Sequence, residues 1–226
     1  MDTALLTRWI TGIAETVHAN RERLTELDAA IGDADHGVNL DRGFGAAVQA
    51  LAEEPPASPG ALLRLVGGTL IRRVGGASGP LYGTAFREAG RHLGSLGDSP
   101  EVSPAELARA LRAGLDGVTR LGSAAEGDKT MVDALAPAVR ALESATTSAT
   151  ESAVAGTVAG AGGRKAFEAA ASAALAGAEA TVPMVARKGR ASYLGSRSAG
   201  HEDPGAASCA LVFAALLSAV NDPGQR

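Results

Sequence analysis

Apolar residues recur at helical spacing along almost the whole chain. Leu5, Leu6, Trp9, Ile10, Ile13, Val17, Leu24 and Leu27 share one face, with charges opposite, and predict a first helix from about Asp2 to Ala30. A second begins near Val38 and carries Leu40, Phe44, Val48 and Leu51, and the proline-rich Glu53 to Gly60 breaks the pattern. The third is expected at about Ala61 to Val74 and the fourth at Pro80 to Leu93, after a glycine-rich stretch that no helix interior would favour. Ser103, with Glu106 three residues on, marks the start of a fifth helix, Pro104 to Leu121. The sixth carries Met131, Leu135, Val139 and Leu142, and the weakly patterned Glu143 to Gly163 reads as a loop that includes a frayed end of this helix. The seventh spans about Arg164 to Ala186, with Pro183 as a kink or early stop. The eighth, Ala206 to Val220, is apolar nearly all round and should be the most buried.

The expected fold is therefore all-α, and the length allows one large domain or two small ones. No period-2 strand is visible, and neither is a G-x-x-x-x-G-K-[ST] motif, which argues against a Rossmann unit or a P-loop. Short connections favour an antiparallel, up-and-down arrangement. Four polar, glycine-bearing segments, Gly32 to Gly37, Gly75 to Gly83, Gly122 to Thr130 and Ala186 to Gly205, precede the second, fourth, sixth and eighth helices. With strict alternation all four lie at one end, each feeding a helix N-terminus whose free N–H groups suit an anion such as phosphate. The last segment is long and polar, and such segments are often functional.

Composition narrows the partners. The chain has 226 residues, 46% hydrophobic and only 3% aromatic, so its core is built from Ala, Leu and Val. A net charge of -4 without any basic block disfavours nucleic acid and anionic membrane surfaces. Cys209, the only cysteine, sits in an apolar run and reads as a buried hydrophobe. No signal-peptide core is evident, and Ala206 to Val220 is short for a bilayer, so the cytoplasm is the expected location.

The candidate chemistry centres on LDAAIGDADHG, Leu27 to Gly37. Asp28, Asp33 and Asp35 fall at one helix end and the turn after it, beside His36. Carboxylates this close repel by roughly 1 kcal/mol per pair unless a cation sits between them. Oxygen ligands on a tight turn suit a hard ion, Mg²⁺ above all when phosphate shares it. Ser78 and Gly79 offer little bulk and would let backbone N–H groups reach phosphates. Arg190, with Arg187 and Lys188, offers positive charge, and Gly122 and Met131 could flank a flat purine. Plainer roles stand beside these: Ser78, Asp128 and Asp203 as helix caps, Met131 as core, Lys129 and the basic run as solvated, His201 as exposed. No Ser/His/Asp triad or zinc-type spacing supports hydrolysis.

GDADHG with the preceding Asp28, then GGASGPLYG, GDKTMVDAL and KGRASYLGSRSAGHEDPG, in this order over nearly the whole chain, closely resemble the L subunit of dihydroxyacetone kinases. The resemblance implies a single nucleotide-binding domain over residues 1–226, an eight-helix antiparallel up-and-down barrel with the nucleotide site at one end. It implies that Asp28, Asp33 and Asp35 bind two Mg²⁺ ions holding ADP or ATP. It further implies nucleotide contacts at His36, Gly37, Val38, Asn39, Ser78 and Gly79, an adenine pocket at Gly122 and Met131, and further contacts at Arg190, Asp203, Pro204 and Gly205. The implied activity is phosphoryl transfer to dihydroxyacetone held on a separate K subunit, no residue of this chain being singled out as catalytic. A phosphohistidine-carrying M subunit recharges bound ADP in some versions, free ATP is the donor in others, and a homodimer is compatible with the fold. The related readings are a kinase module for another small ketose or a fatty acid, and a nucleotide-sensing regulatory subunit. One departure stands out: Ala34 occupies a position that is usually glycine, which strains the turn by on the order of 1 kcal/mol if φ is positive there.

Overall fold

The computed structural model describes residues 1–97, 99–151 and 161–222. Its helices are α1 (Thr3–Ala19), α2 (Arg21–Ile31), α3 (His36–Glu53), α4 (Pro59–Arg73), α5 (Ser78–Ser95), α6 (Pro104–Gly122), α7 (Val132–Glu151), α8 (Ala161–Ala180) and α9 (Pro204–Asn221), with a 3-10 segment at Arg190–Ser198. Several start on caps written in the sequence. Asp2 accepts from the Leu5 N–H and Ser58 from that of Ala61, each leaving one fewer donor orphaned in the first turn. Ser103 and Glu106 form the reciprocal capping box ahead of α6.

Two expectations need correction. The first helix is broken at Asn20, which leaves the helical region at φ −104° and ψ 10° while its backbone N–H and its side-chain amide both donate to the Thr16 carbonyl, at 3.1 and 2.8 Å. The apolar phase continues across the break, which hides it from a periodicity reading. The stretch from Glu143 onward opens with more than a frayed helix end, since α7 continues to Glu151; residues 152–160 of that expected loop lie outside the described residues. α8 stops at Ala180, three residues short of Pro183.

α1 packs on α3, α3 on α4, and each helix on the next through to α9, which returns to α1 and closes a ring. α2 extends from the ring and packs on α3, α9 and the 3-10 segment. α4 and α5 approach closely enough that a Cβ on Gly67 would lie 2.6 Å from the Gly83 carbonyl, and one on Gly83 2.8 Å from that of Gly67. Inside the ring, Phe44 stands edge-on to Tyr82 and Phe86, both at 6.1 Å, and Phe86 lies 5.5 Å from Trp9. The Trp9 indole N–H donates to the Val212 carbonyl at 3.0 Å, tying α1 to α9. Among the described residues α9 alone is long and apolar enough to cross a membrane, but 61% of that stretch is buried in the barrel, as suits a core helix.

Candidate functional site

The turn between α2 and α3 is built around one carboxylate. Asp28, buried near the end of α2, accepts through Oδ2 from the backbone N–H groups of Asp35 at 2.9 Å and His36 at 3.2 Å. The chain can double back here because Gly32 has no side chain: a Cβ there would fall 2.0 Å from Asp28 Oδ1. The same turn carries Ala34 at φ +61°, the left-handed conformation that costs a non-glycine residue about 1 kcal/mol. One carboxylate oxygen from each of Asp28, Asp33 and Asp35 lies within 4.8 Å of the others. Three hard oxygen donors converging this way, one of them oriented by two N–H groups, match what a small divalent cation requires. Arg190 Nη2 reaches Asp33 Oδ2 at 3.0 Å, so the 3-10 segment already contributes a positive group to the cluster.

These side chains line a cavity of about 270 Å³ at one end of the barrel. Its wall draws on all four polar segments and on the N-terminal ends of α3, α5, α7 and α9, as strict alternation of the helices requires. One side is polar, with the aspartates, His36, Ser78, Lys188 and Arg190. The other is apolar, with Leu81, Val118, Ala124, Met131 and Val132, and suits the face of a flat ring. Of the candidate residues, Asp28, Asp33, Asp35, His36, Ser78, Gly122, Met131, Arg190, Asp203, Pro204 and Gly205 line this cavity. Gly37, Val38, Asn39 and Gly79 do not. Gly37 faces α2, where a Cβ would meet the Arg21 carbonyl at 2.1 Å, and Gly79 is pressed on the Val74 carbonyl. Val38 is 48% exposed outside the cavity, and buried Asn39 accepts from Arg42 at 2.7 Å.

From the cavity wall inward runs a chain of hydroxyls and one imidazole, half-buried at Ser78 and buried beyond it. Ser78 Oγ lies 2.9 Å from His36 Nδ1, His36 Nε2 lies 2.8 Å from Ser208 Oγ, and Ser208 Oγ lies 2.7 Å from the Tyr82 hydroxyl. Burial lowers the His36 pKa below its ordinary value, outweighing Asp28 and Asp35, so the ring is neutral near pH 7. Burial raises that of Tyr82 well above its usual range. Ser78 is thus no cap for α5: its hydroxyl is engaged by His36.

Lys129 is the residue most misjudged from sequence. Instead of standing in solvent it is 1% exposed, at φ +62°, and its ammonium donates to the Thr181 carbonyl at 2.7 Å and to the His201 carbonyl. It thereby pins the end of α8 and the approach to α9 to the α6–α7 turn. Asp133 shapes that turn by accepting from the Gly127 and Thr130 N–H groups at 2.5 and 2.8 Å, while Asp128 accepts from Ala125 and does not cap α7. Asp203 belongs to both the α9 start and the cavity wall. It caps α9, accepting from the Ala206 N–H at 2.7 Å, and it lines the cavity; burial raises its pKa to about 7 despite Lys129. Ala186 to Gly205 is ordered by bonds to distant partners. The Arg187 N–H donates to the Asp128 carbonyl at 3.0 Å and that of Gly200 to the Val182 carbonyl at 2.7 Å. Ala191 and Ala186 bury themselves on Ile31 of α2.

Comparison with known proteins follows the same geometry. The DAK2 domain family model matches residues 30–218. The ADP-binding subunit DhaL of the PEP-dependent dihydroxyacetone kinase of Escherichia coli is 40% identical over 217 residues, covering 96% of this chain and 97% of the relative. The corresponding subunit of kinase 1 from Listeria innocua is 39% identical over 210 residues, covering 93% of each. The crystal structure of the C. freundii dihydroxyacetone kinase with AMP-PNP and Mg²⁺ superposes with a TM-score of 0.69 at 30% identity over 95% of this chain, which spans 34% of that longer one.

Proposed function

The chain belongs to the DAK2 domain family, and from that premise we propose that it is the nucleotide-binding subunit of a dihydroxyacetone kinase. The observation that carries the proposal is the convergence of three aspartates and four helix N-termini on one cavity with an apolar wall. In this reading Asp28, Asp33 and Asp35 hold Mg²⁺, as two ions. The diphosphate lies across His36 and Ser78, with Arg190 as a further cation and the α9 N-terminus at Asp203, Pro204 and Gly205 closing the site. Gly122 and Met131 face the adenine. Gly37, Val38, Asn39 and Gly79 serve through their backbone, setting the start of α3 and α5 rather than the cavity surface. Bound Mg²⁺ neutralises phosphate charge during transfer. The protein's own part is to orient the donor, exclude water along the apolar wall and supply N–H groups and cations.

The substrate hydroxyl belongs to dihydroxyacetone held on a K subunit docked at the cavity mouth. The names of the E. coli and Listeria relatives favour a PEP-dependent route, in which ADP stays bound and a phosphohistidine M subunit recharges it in the cytoplasm. The deciding experiment combines the purified chain with a K subunit, Mg²⁺ and either ATP or phosphorylated M subunit. Dihydroxyacetone phosphate should form only with the chain present. Nucleotide binding without transfer under both donors would discard the kinase reading in favour of a regulatory one.

A further inference from the structure

Three consecutive residues at the end of α4 rest on one face of α3. The Arg42 guanidinium donates through Nε to the Arg73 carbonyl at 2.9 Å and through Nη2 to Asn39 Oδ1 at 2.7 Å. The Val74 side chain fills a notch left by Gly43, where a Cβ would fall 1.9 Å from Val74 Cγ2. Gly75 lies against the Asn39 amide, so close that a Cβ there would sit 2.8 Å from Oδ1. Positions 39, 42 and 43 are spaced i, i+3 and i+4, and so share a face of the helix. Arg42 supplies the polar tie. The Arg73 carbonyl is the last of α4 and has no further helical turn to donate to it. Nε–H and Nη2–H lie along one edge of a planar group, so together they fix that carbonyl relative to the Asn39 amide.

The turn held in this way leads straight into the cavity wall. Gly76, at φ +63°, comes so near the start of α3 that a Cβ on it would lie 3.8 Å from Asp35 Oδ1. Gly76, Ala77 and Ser78 line the cavity, whereas Arg42 and Asn39 do not. Resting on the nucleotide-binding reading above, we infer that Arg42 is a positioning residue. From outside the cavity it sets, through the Asn39 side chain and the Arg73 carbonyl, the gap between the aspartate cluster and Ser78 across which phosphates lie. A diphosphate that spans the cluster and Ser78 needs the two walls at a fixed separation. A turn with two successive glycines has no side chains of its own to fix it. The guanidinium edge supplies that constraint before any ligand arrives. A lysine at this position would bring the charge without the edge, because a single ammonium does not hold two acceptors at a set spacing.

The test follows MgADP binding to the full-length chain by calorimetry and the backbone amide signals of Gly76 and Ser78 by NMR. Arg42 is exposed, so Arg42→Ala and Arg42→Lys should both fold. Both should weaken MgADP binding about tenfold and shift the Gly76 and Ser78 signals before nucleotide is added. Arg72 is the charge-matched control: it lines the same groove between α3 and α4 but donates to Thr69 within its own helix, at 3.3 Å. Arg72→Ala should keep wild-type affinity and leave both signals in place. A tie that only packs α3 on α4 would lower the urea midpoint of Arg42→Ala and leave its affinity at the wild-type value, which would overturn the inference. Full affinity in Arg42→Lys, an equal loss in Arg72→Ala, or lost affinity with unmoved signals would each overturn it too. Absence of MgADP binding to wild type would overturn the nucleotide reading and the inference with it.

Discussion

At the end of the barrel that carries Ser58 and Ser103, α4 and α6 start on side-chain caps followed by proline, as α9 does at the other end, but Gly97 is the one positive-φ residue among those described there. At the opposite end, around the cavity, Ala34, Ser123 and Lys129 all adopt positive φ without being glycine, and Asp28, Lys129, Asp133 and Asp203 are buried. Each such feature costs stability on its own, of the order of 1–3 kcal/mol for the backbone departures. The first end is arranged for folding. The second departs from the same rules where a charged ligand would supply compensation, so strain and buried charge mark the site independently of any cavity.

Substitutions can break or sharpen this contrast. The largest effect is expected from Lys129→Ala, which removes two charge-assisted bonds to backbone carbonyls and should destabilise the protein by about 4 kcal/mol in urea unfolding. A loss under 1 kcal/mol would mean that the ammonium does not hold the cavity end together. Asp33→Ala should weaken MgADP binding by more than about 100-fold, or ~2.7 kcal/mol, while helix content by circular dichroism is unchanged. Unaltered affinity would remove Asp33 from the metal site.

The next effect depends on pH. Asp203 titrates near 7 when folded and near 3.8 when unfolded, so folding binds a proton between these values, and the stability Asp203 contributes at low pH is lost as pH rises through 7. Asp203→Asn keeps an N-cap and removes that dependence. Relative to this variant, wild type should lose about 2 kcal/mol between pH 5 and pH 6.5. His36 contributes with the opposite sign, losing stability as pH falls below 6.5, and cancels in the difference. The smallest effects form a pair. Ser103→Ala should cost about 1 kcal/mol without changing MgADP affinity. Ala34→Gly at the cavity should stabilise by up to about 1 kcal/mol. If both proved neutral, the contrast between the ends would lose its energetic content.

What could be read from the sequence divides along the same line. Helices, caps and the placing of four glycine-bearing segments at one end follow from periodicity and chain alternation, which are local signals. So does the acidic cluster, because its three members lie within eight residues of one another. Lys129 was not legible as buried, since its partners, the carbonyls of Thr181 and His201, are 52 and 72 residues away. The order of Ala186 to Gly205 was hidden for the same reason, since the chain on either side of the 3-10 segment is held by the bonds of Arg187 to Asp128 and of Gly200 to Val182. No sequence signal singles out Ser208, whose hydroxyl meets His36 and Tyr82 across 172 and 126 residues of chain. The Asn20 break was concealed by an apolar stripe that continues through Leu24 and Leu27.

The return of α9 to α1 has a mechanical consequence. A hoop of staves has no outermost member, so prising any one helix away must open two seams at once, and fraying from an edge, the usual first step by which bundles come apart, has nowhere to begin. Heating should therefore show one sharp melting event rather than helices peeling off in succession.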